Sequence, residues 1–294
     1  MKKTVGIVIV NYNGENYQNE CIQSILDSSY SDYFIIIVDN NSKDNSMQML
    51  KEFNDDRIVS IYEKENWGVA KGNNIGIKKS LELGCEYTLL LNNDTVLKKD
   101  TIQILFEQMS ENKVAVPLIL YNDTDLIWYG GGEFLKYKCT TKHINQKKEK
   151  CSVQYCDYYE YAPTCCMLIN NEVFNTIGLM DEKYFMYFDD TDFCMRLKKN
   201  GIPIRFCKES EIYHKVSLST GGDMSKVSIY YQNRNRFYFY NKYNDYYPKV
   251  SFLYFNITRL IKYCMGILKH NNSVYIRKAI KDYYAGKMGR CNDL

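Results

Sequence analysis

The stretch "TVGIVIVNYNG" at residues 4–14 decides the fold class of this 294-residue chain. A continuous run rich in β-branched residues is typical of a strand that is buried on both faces of a parallel sheet. A polar loop follows, and apolar residues then recur at helical spacing, at Cys21, Ile22, Ile25 and Leu26. A strand, a loop and an amphipathic helix in this order predict the start of a βαβ unit.

The same pattern recurs along the first 115 residues. The segments "YFIIIVDNNSKDNS" at 33–46, "RIVSIYEKENWG" at 57–68 and "YTLLLNNDT" at 87–95 each combine an apolar strand with a polar loop, and a helix over 73–84 ends in a glycine cap. Strands that alternate with helices predict an α/β fold with a Rossmann-like, mostly parallel sheet flanked by helices. Right-handed crossovers place the strand-end loops at one edge of such a sheet, which is its usual ligand edge.

The regular alternation stops after residue 115. A strand and a short helix are predicted over 161–178, a further helix from Thr191 to Lys199 and a short strand over 204–207. Beyond residue 225 the sequence predicts mainly helices. The expected organisation is one domain over 1–225, with halves at 1–115 and 116–225, followed by a basic C-terminal helical appendage at 226–294.

Charge is distributed unevenly along the chain. The net charge is +3, but thirteen Lys or Arg and only three Asp lie from Lys226 to Leu294, a net +10 that leaves −7 for residues 1–225. A basic, aromatic segment on an acidic body indicates an anionic partner. A membrane surface fits this pattern, and a packed helical subdomain or a homodimer surface fits it equally. No nucleic-acid recognition motif accompanies the charge, so we expect no nucleic acid as partner.

Cysteine usage and the N-terminus bear on localisation. None of the eleven cysteines shows CxxC spacing, which favours free buried thiols in a reducing cytosol. The N-terminal apolar run ends at Asn11 and is too short for a signal-peptide core. No stretch of about 18 uninterrupted apolar residues is present. We therefore expect a cytoplasmic protein, whose basic C-terminal segment could rest on the inner face of the cell membrane.

Several enzyme classes built on parallel sheets lack support in the sequence. The loop after the first strand has no GxGxxG fingerprint of a dehydrogenase, and the chain has neither a GxxxxGK[ST] P-loop nor a GxSxG nucleophile elbow. The remaining chemistry is carried by acids at strand ends and by one late histidine, His214.

Two aspartates follow predicted strands. A carboxylate at the position of Asp39 can accept from the N3–H of a pyrimidine base, although a turn or helix N-cap is the alternative. Asp94 ends a very apolar strand, where a free acid is costly unless a cation pairs with it. A divalent ion that bridges a diphosphate would do so, and a capping role for the helix near 98–100 is the alternative. A neutral His214 imidazole suits Mn²⁺, although lone histidines are more often structural.

The segment "YFMYFDDTDFCMRL" at 184–197 holds a cluster of acids. Asp192 and Arg196 can pair on one helix face, and a helix start favours carboxylates at Asp189 and Asp190. A helix start alone does not explain two consecutive acids among aromatic residues. Partial desolvation beside aromatic rings raises a carboxyl pKa towards neutrality, as a general base for a sugar hydroxyl requires.

Seven segments in order give the chain a family resemblance: "VIVNYNG", "IIIVDNNSKD", "NWGVAKGNNIGI", "LLLNNDT", "APTCCMLINNEVFNTIGLMDEKYFMYFDDTDFCMRLKKNG", "IYHK" and "YYQNRNRFYF". Together they span nearly the whole chain. The sequence resembles family 2 glycosyltransferases with the GT-A fold, especially the bacterial rhamnosyltransferase-like branch.

The resemblance implies a role for individual residues. Asp190 would be the catalytic base, and Asp94 with His214 would bind Mn²⁺ or Mg²⁺. The acceptor side would include Asp189, Tyr187 and Trp128. The nucleotide-sugar donor would contact residues from four segments: Asn11 and Asp39 at the nucleoside, Asn66, Gly68, Lys71 and Asn74 at the ribose and diphosphate, and Asn93 with Asp94.

Two positions depart from the family pattern. Only the last residue of the metal motif "NND" is acidic, which makes His214 and water more important as ligands. Asp189 stands where a glutamate is usual, and the shorter side chain bears on which acceptor hydroxyl is reached.

The resemblance implies an inverting enzyme that transfers rhamnose or another hexose from a UDP- or dTDP-sugar. The acceptor would be a saccharide or a lipid-linked acceptor in cell-surface polysaccharide synthesis. Two alternatives remain: a sugar nucleotidyltransferase, whose Gly-rich N-terminal signature the chain lacks, and a non-catalytic module that binds nucleotide sugars.

Overall fold

The computed structural model describes residues 4–215, 225–268 and 273–294, without the side chains of 262, 263 and 266–268. Its strands are β1 Val5–Asn11, β2 Tyr33–Asp39, β3 Ile58–Tyr62, β4 Tyr87–Asn92, β5 Thr95–Leu97, β6 Val114–Tyr121, β7 Ile127–Tyr129, β8 Gly132–Leu135, β9 Thr140–His143, β10 Tyr158–Tyr159, β11 Cys166–Asn170 and β12 Ile204–His214. Its helices are α1 Gln18–Leu26, α2 Ser46–Met49, α3 Gly68–Glu82, α4 Thr101–Glu107, α5 Glu172–Ile177, α6 Asp189–Lys199, α7 Lys226–Lys242, α8 Lys249–Leu268 and α9 Ser273–Tyr284.

The strands of the first half form the parallel part of the sheet. The order β4–β1–β2–β3 is parallel throughout. The apolar runs of β1, β2 and β4 are buried on both faces, as their composition predicts, whereas the edge strand β3 is partly exposed. The register aligns the ends of the strands, so that Asn11 lies opposite Asp39. The predicted ligand edge is therefore formed by the loops after β1, β2 and β4.

The second half extends the same sheet in mixed directions. Strand β11 is antiparallel to β4 and β6, whereas β12 is parallel to β6 and antiparallel to β5. The strand predicted at 204–207 is longer than expected and continues to His214, past an irregularity between Cys207 and Glu211. A separate hairpin, β8–β9, lies outside the main sheet.

Two helices begin earlier than the sequence predicts. Helix α3 begins at Gly68, and Gly84 follows its end with φ +75°, as a C-terminal cap requires. Helix α6 begins at Asp189, so that Asp189 and Asp190 lie in its first turn. Contacts with distant parts of the chain extend both helices beyond the start that the local sequence pattern predicts.

The C-terminal segment is helical, as predicted. Helix α9 packs against α7 and α8, and Phe237 of α7 meets Phe255 of α8 with ring centroids 4.6 Å apart. Within the described residues, no helix is both long enough and apolar enough to cross a bilayer.

Candidate active site

The edge formed by the loops after β1, β2 and β4 centres on Asn11. Its side chain is fully buried, and Nδ2 donates to Asp39 Oδ1 at 3.1 Å and to Ser46 Oγ at 2.9 Å. Asp39 also accepts from the Ser42 backbone at 3.1 Å and from Ser42 Oγ at 2.5 Å. Asp39 therefore stabilises the turn after β2, which is the alternative that the sequence left open. It also lies at the strand end where a nucleotide base would bind.

The loop after β4 joins this edge through Asn93. Asn93 Nδ2 donates to Asn11 Oδ1 at 2.9 Å, which completes the bonding of the Asn11 amide. Gly14 packs directly on this pair, because a Cβ there would lie 2.2 Å from Asn11 Oδ1. Any side chain at position 14 would therefore push Asn11 and Asn93 apart.

Asp94 and His214 are brought together by strand register. Strand β12 pairs with β5 so that His214 lies opposite Thr95, and the Lys215 N–H donates to the Asp94 carbonyl at 2.9 Å. Both side chains are buried, at 4 and 6 % exposure. The N-cap of the next helix is Asp100, so Asp94 does not have the capping role considered as its alternative.

The atoms of this pair suit a shared divalent cation. His214 Nε2 lies 3.1 Å from Asp94 Oδ1, yet that oxygen has no hydrogen-bond partner among the described residues. Neighbouring ligands of an octahedral ion with bonds of about 2.1 Å also lie about 3.0 Å apart. No group of three or more His, Cys, Asp or Glu able to hold a metal occurs in the described chain, so water and a ligand would have to complete the coordination.

The N-terminus of α3 carries several of the residues predicted to contact the donor. Asn66 Oδ1 accepts from the Gly68 N–H at 2.9 Å, and Lys71 Nζ stands 3.2 Å from the centre of the Trp67 ring. Gly68 has φ +80°, and a Cβ there would lie 2.1 Å from the Phe185 carbonyl. Helix α3 therefore contacts the segment that leads to the acid cluster.

Asn74 joins α3 to the loop after α5. It is buried on α3, and its Nδ2 donates to the Met180 carbonyl at 2.9 Å and to Glu182 Oε1 at 3.0 Å, while Oδ1 accepts from the Met180 N–H. These bonds use both amide hydrogens to join α3 to the loop after α5. Its Oδ1 has one accepted bond and a second lone pair, with which it could still accept from a hydroxyl of the donor.

The two acids at the start of α6 lie in different environments. Asp189 is 4 % exposed, and burial, with the charge of Asp190 as a second cause, raises its pKa to about 8. Asp190 is partly exposed and accepts from the Thr191 N–H at 2.6 Å, from Thr191 Oγ1 at 3.1 Å and from the Tyr161 hydroxyl at 2.6 Å. With its pKa raised to about 8, Asp189 is mainly protonated at neutral pH and adds no negative charge to the pair.

The backbone before this pair is strained. Tyr187 and Phe188 have φ of +62° and +69°, a conformation that non-glycine residues rarely adopt. Asn235 of α7 donates through Nδ2 to the carbonyls of Met186 at 2.8 Å and Tyr187 at 3.0 Å. Such strain persists only where surrounding contacts impose it, and the fully buried Asn235 is one of those contacts.

The third acid of the cluster has a structural role. Asp192 is fully buried and pairs with Arg196 at 2.9 Å, as the sequence predicts. Its other oxygen binds Lys242 at 2.7 Å and the Tyr243 hydroxyl at 2.9 Å. Asp192 thus joins α6 to the end of α7.

A row of rings connects the cation pair with the acid cluster. Trp128 stands edge-on to His214 at 4.4 Å and to His143 at 4.7 Å between ring centroids. His143 lies 5.9 Å from Tyr161, whose hydroxyl binds Asp190. His143 Nδ1 is 3.0 Å from the Trp128 carbonyl, which can only accept, so Nδ1 carries a proton. Burial lowers the pKa of His143, which favours its neutral form.

The pKa of Cys165 is affected both by Asp94 of the cation pair and by Asp190 of the acid cluster. Burial raises the pKa of its thiol, and the charges of Asp94 and Asp190 both raise it further. Although burial lowers the pKa of His143, the charge of Asp190 likewise raises it. Together with the row of rings, these effects indicate that both centres lie near the C-terminal end of β4 and the start of β11.

Sequence reasoning missed four contributors to this site: Gly14, His143, Tyr161 and Asn235. Gly14 stands inside the quoted "NYNG" and Asn235 inside "YYQNRNRFYF", so those segments contained a usable signal. Nothing near His143 or Tyr161 in the sequence distinguishes them from surface residues.

Comparisons with known proteins identify the family of the chain. The family model "Glycosyl transferase family 2" matches residues 6–178, more than half of the chain. The chain is 28 % identical over 243 residues to "Low-salt glycan biosynthesis hexosyltransferase Agl10" of Haloferax volcanii, a match over 81 % of this chain and 75 % of that protein. It is 25 % identical over 247 residues to "dTDP-rhamnosyl transferase RfbF" of Shigella flexneri, over 81 % and 80 % of the two chains.

A solved structure shows the same fold. The crystal structure of GalNAc-T7 with UDP, GalNAc and Mn²⁺ matches 81 % of this chain and 48 % of its own, with a TM-score of 0.65 and 17 % identity. The predicted GT-A fold is thereby confirmed. On the match of the family model over residues 6–178, this chain belongs to glycosyl transferase family 2.

Proposed function

We propose that this glycosyltransferase transfers a hexose, such as rhamnose, with inversion from a UDP- or dTDP-sugar to a saccharide or lipid-linked acceptor of a cell-surface polysaccharide. The observation that carries the proposal is the row of rings that runs from the Asp94–His214 pair to Asp190. The names of the two relatives, a hexosyltransferase of glycan synthesis and a dTDP-rhamnosyl transferase, support this choice of donor and pathway.

The first half, 1–115, would bind the donor. Asp39 would accept from the base, next to Asn11, and the α3 N-terminus with Asn66, Gly68 and Lys71 would line the ribose and diphosphate. The second half, 116–225, would hold the acceptor near Trp128 and Tyr187. Neither Asp39 nor a pyrimidine N3–H distinguishes uracil from thymine, so both donors fit.

Asp94 and His214 would hold Mn²⁺ or Mg²⁺ against the donor diphosphate, as the buried pair without mutual hydrogen bonding suggests. Such an ion, when bound, offsets the charge that builds on the leaving diphosphate. The structure of GalNAc-T7 contains Mn²⁺ together with UDP, which supports the use of a divalent ion here.

Asp190 would act as the general base. Its Oδ2 already accepts from Tyr161 and retains a lone pair for the acceptor hydroxyl. The proton moves to Asp190 while the acceptor oxygen forms a bond to the anomeric carbon. The bond from that carbon to the diphosphate oxygen breaks on the opposite face, and its electron pair leaves with the diphosphate. The buried, neutral Asp189 would keep a second negative charge away from this carboxylate.

A donor screen tests the proposal. Thermal melting is followed with UDP-, dTDP- and GDP-sugars, with and without Mn²⁺, for the wild type, Asp94→Ala and the exposed control Asp100→Asn. We expect one pyrimidine diphosphate sugar to raise Tm only with metal, because a ligand that binds the folded state stabilises it. Asp94→Ala should lose the shift and the control should keep it.

Transfer with the identified donor separates an enzyme from a binding module. Release of the nucleoside diphosphate in the presence of an acceptor, with loss of release in Asp190→Asn, supports the proposal. Binding with no release by the wild type towards any saccharide or lipid-linked acceptor would favour the non-catalytic module instead.

A further inference from the structure

Helix α8 presents an apolar stripe to solvent. Among the side chains of α8 that the structure describes, seven large apolar ones are 45 to 62 % exposed: Val250, Leu253, Tyr254, Ile257, Leu260, Ile261 and Met265. They recur at intervals of three and four residues, so they share one side of the helix. We call this stripe the α8 face. Singly exposed apolar residues are ordinary, but a contiguous row of this length marks an interaction surface.

The opposite side of α8 is firmly packed. Phe255 is fully buried against Phe237, and Arg259 Nη1 donates to Asn233 of α7 at 2.6 Å. At the margin of the packed side, Ser251, the residue after Val250, donates through Oγ to the Lys136 carbonyl in the β8–β9 hairpin at 3.0 Å. The helix is therefore docked on the rest of the protein by one side, and the α8 face is directed outward.

Exposed basic side chains lie on two elements that contact α8, the β8–β9 hairpin and α9. The hairpin turn Lys136–Lys138 is held against α7 and α8 by the Ser251 bond and by a bond from Arg236 to the Lys138 carbonyl. Both lysines of the turn are exposed, and so is Tyr137 between them, at 66 %. On α9, which packs on α8, Arg277 and Lys281 are exposed as well. The hairpin and α9, which both contact α8, thus carry exposed positive charges.

We propose that the α8 face is a docking surface for an anionic lipid bilayer. An amphipathic helix with an apolar side, interfacial tyrosines and basic flanks is the form that binds such a surface by lying in its plane. A second copy of this chain is the less suitable occupant, because a two-fold contact would bring the same positive residues together. The proposal is independent of the sugar transferred and of the catalytic roles assigned above.

Vesicle sedimentation tests the apolar part of the surface. The full chain is mixed with phosphatidylcholine vesicles that either contain or lack phosphatidylglycerol. We expect binding to the anionic vesicles, and a loss of at least about tenfold in Leu253→Glu/Leu260→Glu, because burial of one leucine alone contributes that factor. Leu81→Glu is the matched control, since Leu81 is a 44 % exposed leucine on α3, outside the α8 face.

A second pair of variants tests the charge. Lys136→Gln/Lys138→Gln should weaken binding to the anionic vesicles by about fivefold for each lysine, and added salt should remove the difference. The control Lys51→Gln/Lys64→Gln removes two exposed lysines from the first half of the chain and should have no effect.

Melting curves and light scattering distinguish membrane docking from misfolding and from dimerisation. Variants that bind poorly must melt as the wild type does, which shows that α8 is still folded. Equal binding to both vesicle types, or no binding by the wild type, overturns the proposal. A wild-type dimer that becomes monomeric in Leu253→Glu/Leu260→Glu, without vesicle binding, would show that the α8 face is a subunit interface.

Discussion

The donor edge, formed by the loops after β1, β2 and β4, and the base segment, residues 184–192, are built in opposite ways. At the donor edge, neighbouring loops bond to one another, as Asn11 does to Asp39 and Asn93. The base segment makes few bonds within itself. It is held from outside by the Gly68 region of α3 and by Asn235 of α7.

This difference predicts different effects of substitution. The donor edge is a rigid sheet margin, so changes there should alter binding of the donor and its metal. The base segment contains two left-handed residues whose position depends on distant helices. Changes in those helices should lower the rate of transfer while donor binding is retained.

The largest effect is expected at Asp190. Asp190→Asn should lower kcat by about 10²–10⁴, because general-base assistance is lost. The melting shift caused by donor and Mn²⁺ should remain, since Asp190 lies outside the donor edge. Steady-state release of the nucleoside diphosphate and melting curves measure both quantities. The exposed Asp157→Asn serves as control, and an unchanged kcat in Asp190→Asn would place the base elsewhere.

The next effect concerns metal affinity at the donor edge. His214→Ala should weaken Mn²⁺ binding in the presence of nucleotide by at least about tenfold, since loss of even an outer partner costs that much. His143→Gln is the informative control, because His143 bonds to Trp128 and does not contact Asp94. Calorimetric titration of Mn²⁺ measures both variants. Equal losses in the two would mean that neither histidine is a specific ligand.

The contact from α7 should give an intermediate effect. Asn235→Ala frees the carbonyls of Met186 and Tyr187, so the base segment can relax and Asp190 can shift. We expect kcat to fall about tenfold with little change in the KM for donor, since small misplacements of a reacting group are costly. Asn233→Ala, a buried neighbour on the same helix that bonds to Ile229 and Arg259, should retain kcat. A similar fall in both variants would indicate general damage to α7.

The smallest effect is a pH-dependent change in stability at Asp189. Its folded pKa of about 8 lies above the ordinary value of 3.8, so the folded state keeps a proton that the unfolded state loses. The stability that this group contributes is full below about pH 4 and declines as pH rises to about 8. Asp189→Asn should therefore melt several degrees above the wild type at about pH 8 and no higher at about pH 4. A difference that does not vary with pH would contradict the buried, neutral state of Asp189.

Local patterns in the sequence predicted most of the first half. The β-branched run at 4–10 and its successors became parallel strands, because such runs can be satisfied only by burial on both faces. The order of strands and helices then placed Asp39 at the ligand edge. The ordered motifs also identified the family and the GT-A fold, which the comparisons confirmed.

Only the tertiary structure decided the contacts across distant segments. The pairing of Asp94 with His214 depends on the antiparallel register of β12 with β5, and no local pattern specifies which residues a long crossover aligns. The left-handed conformation of Tyr187 and Phe188 opposes their own preferences and is maintained by contacts such as the one from Asn235.

The sequence by itself therefore determined the elements, their order and the residue types available for chemistry, because hydrophobic period and turn residues act over a few positions. Tertiary structure decided which of those residues meet, which acid is buried and which helix holds the base segment. Burial and long-range register are properties of the packed chain as a whole. They bury Asp189 and raise its pKa while its neighbour Asp190 stays partly exposed, a difference that two adjacent aspartates in a sequence do not reveal.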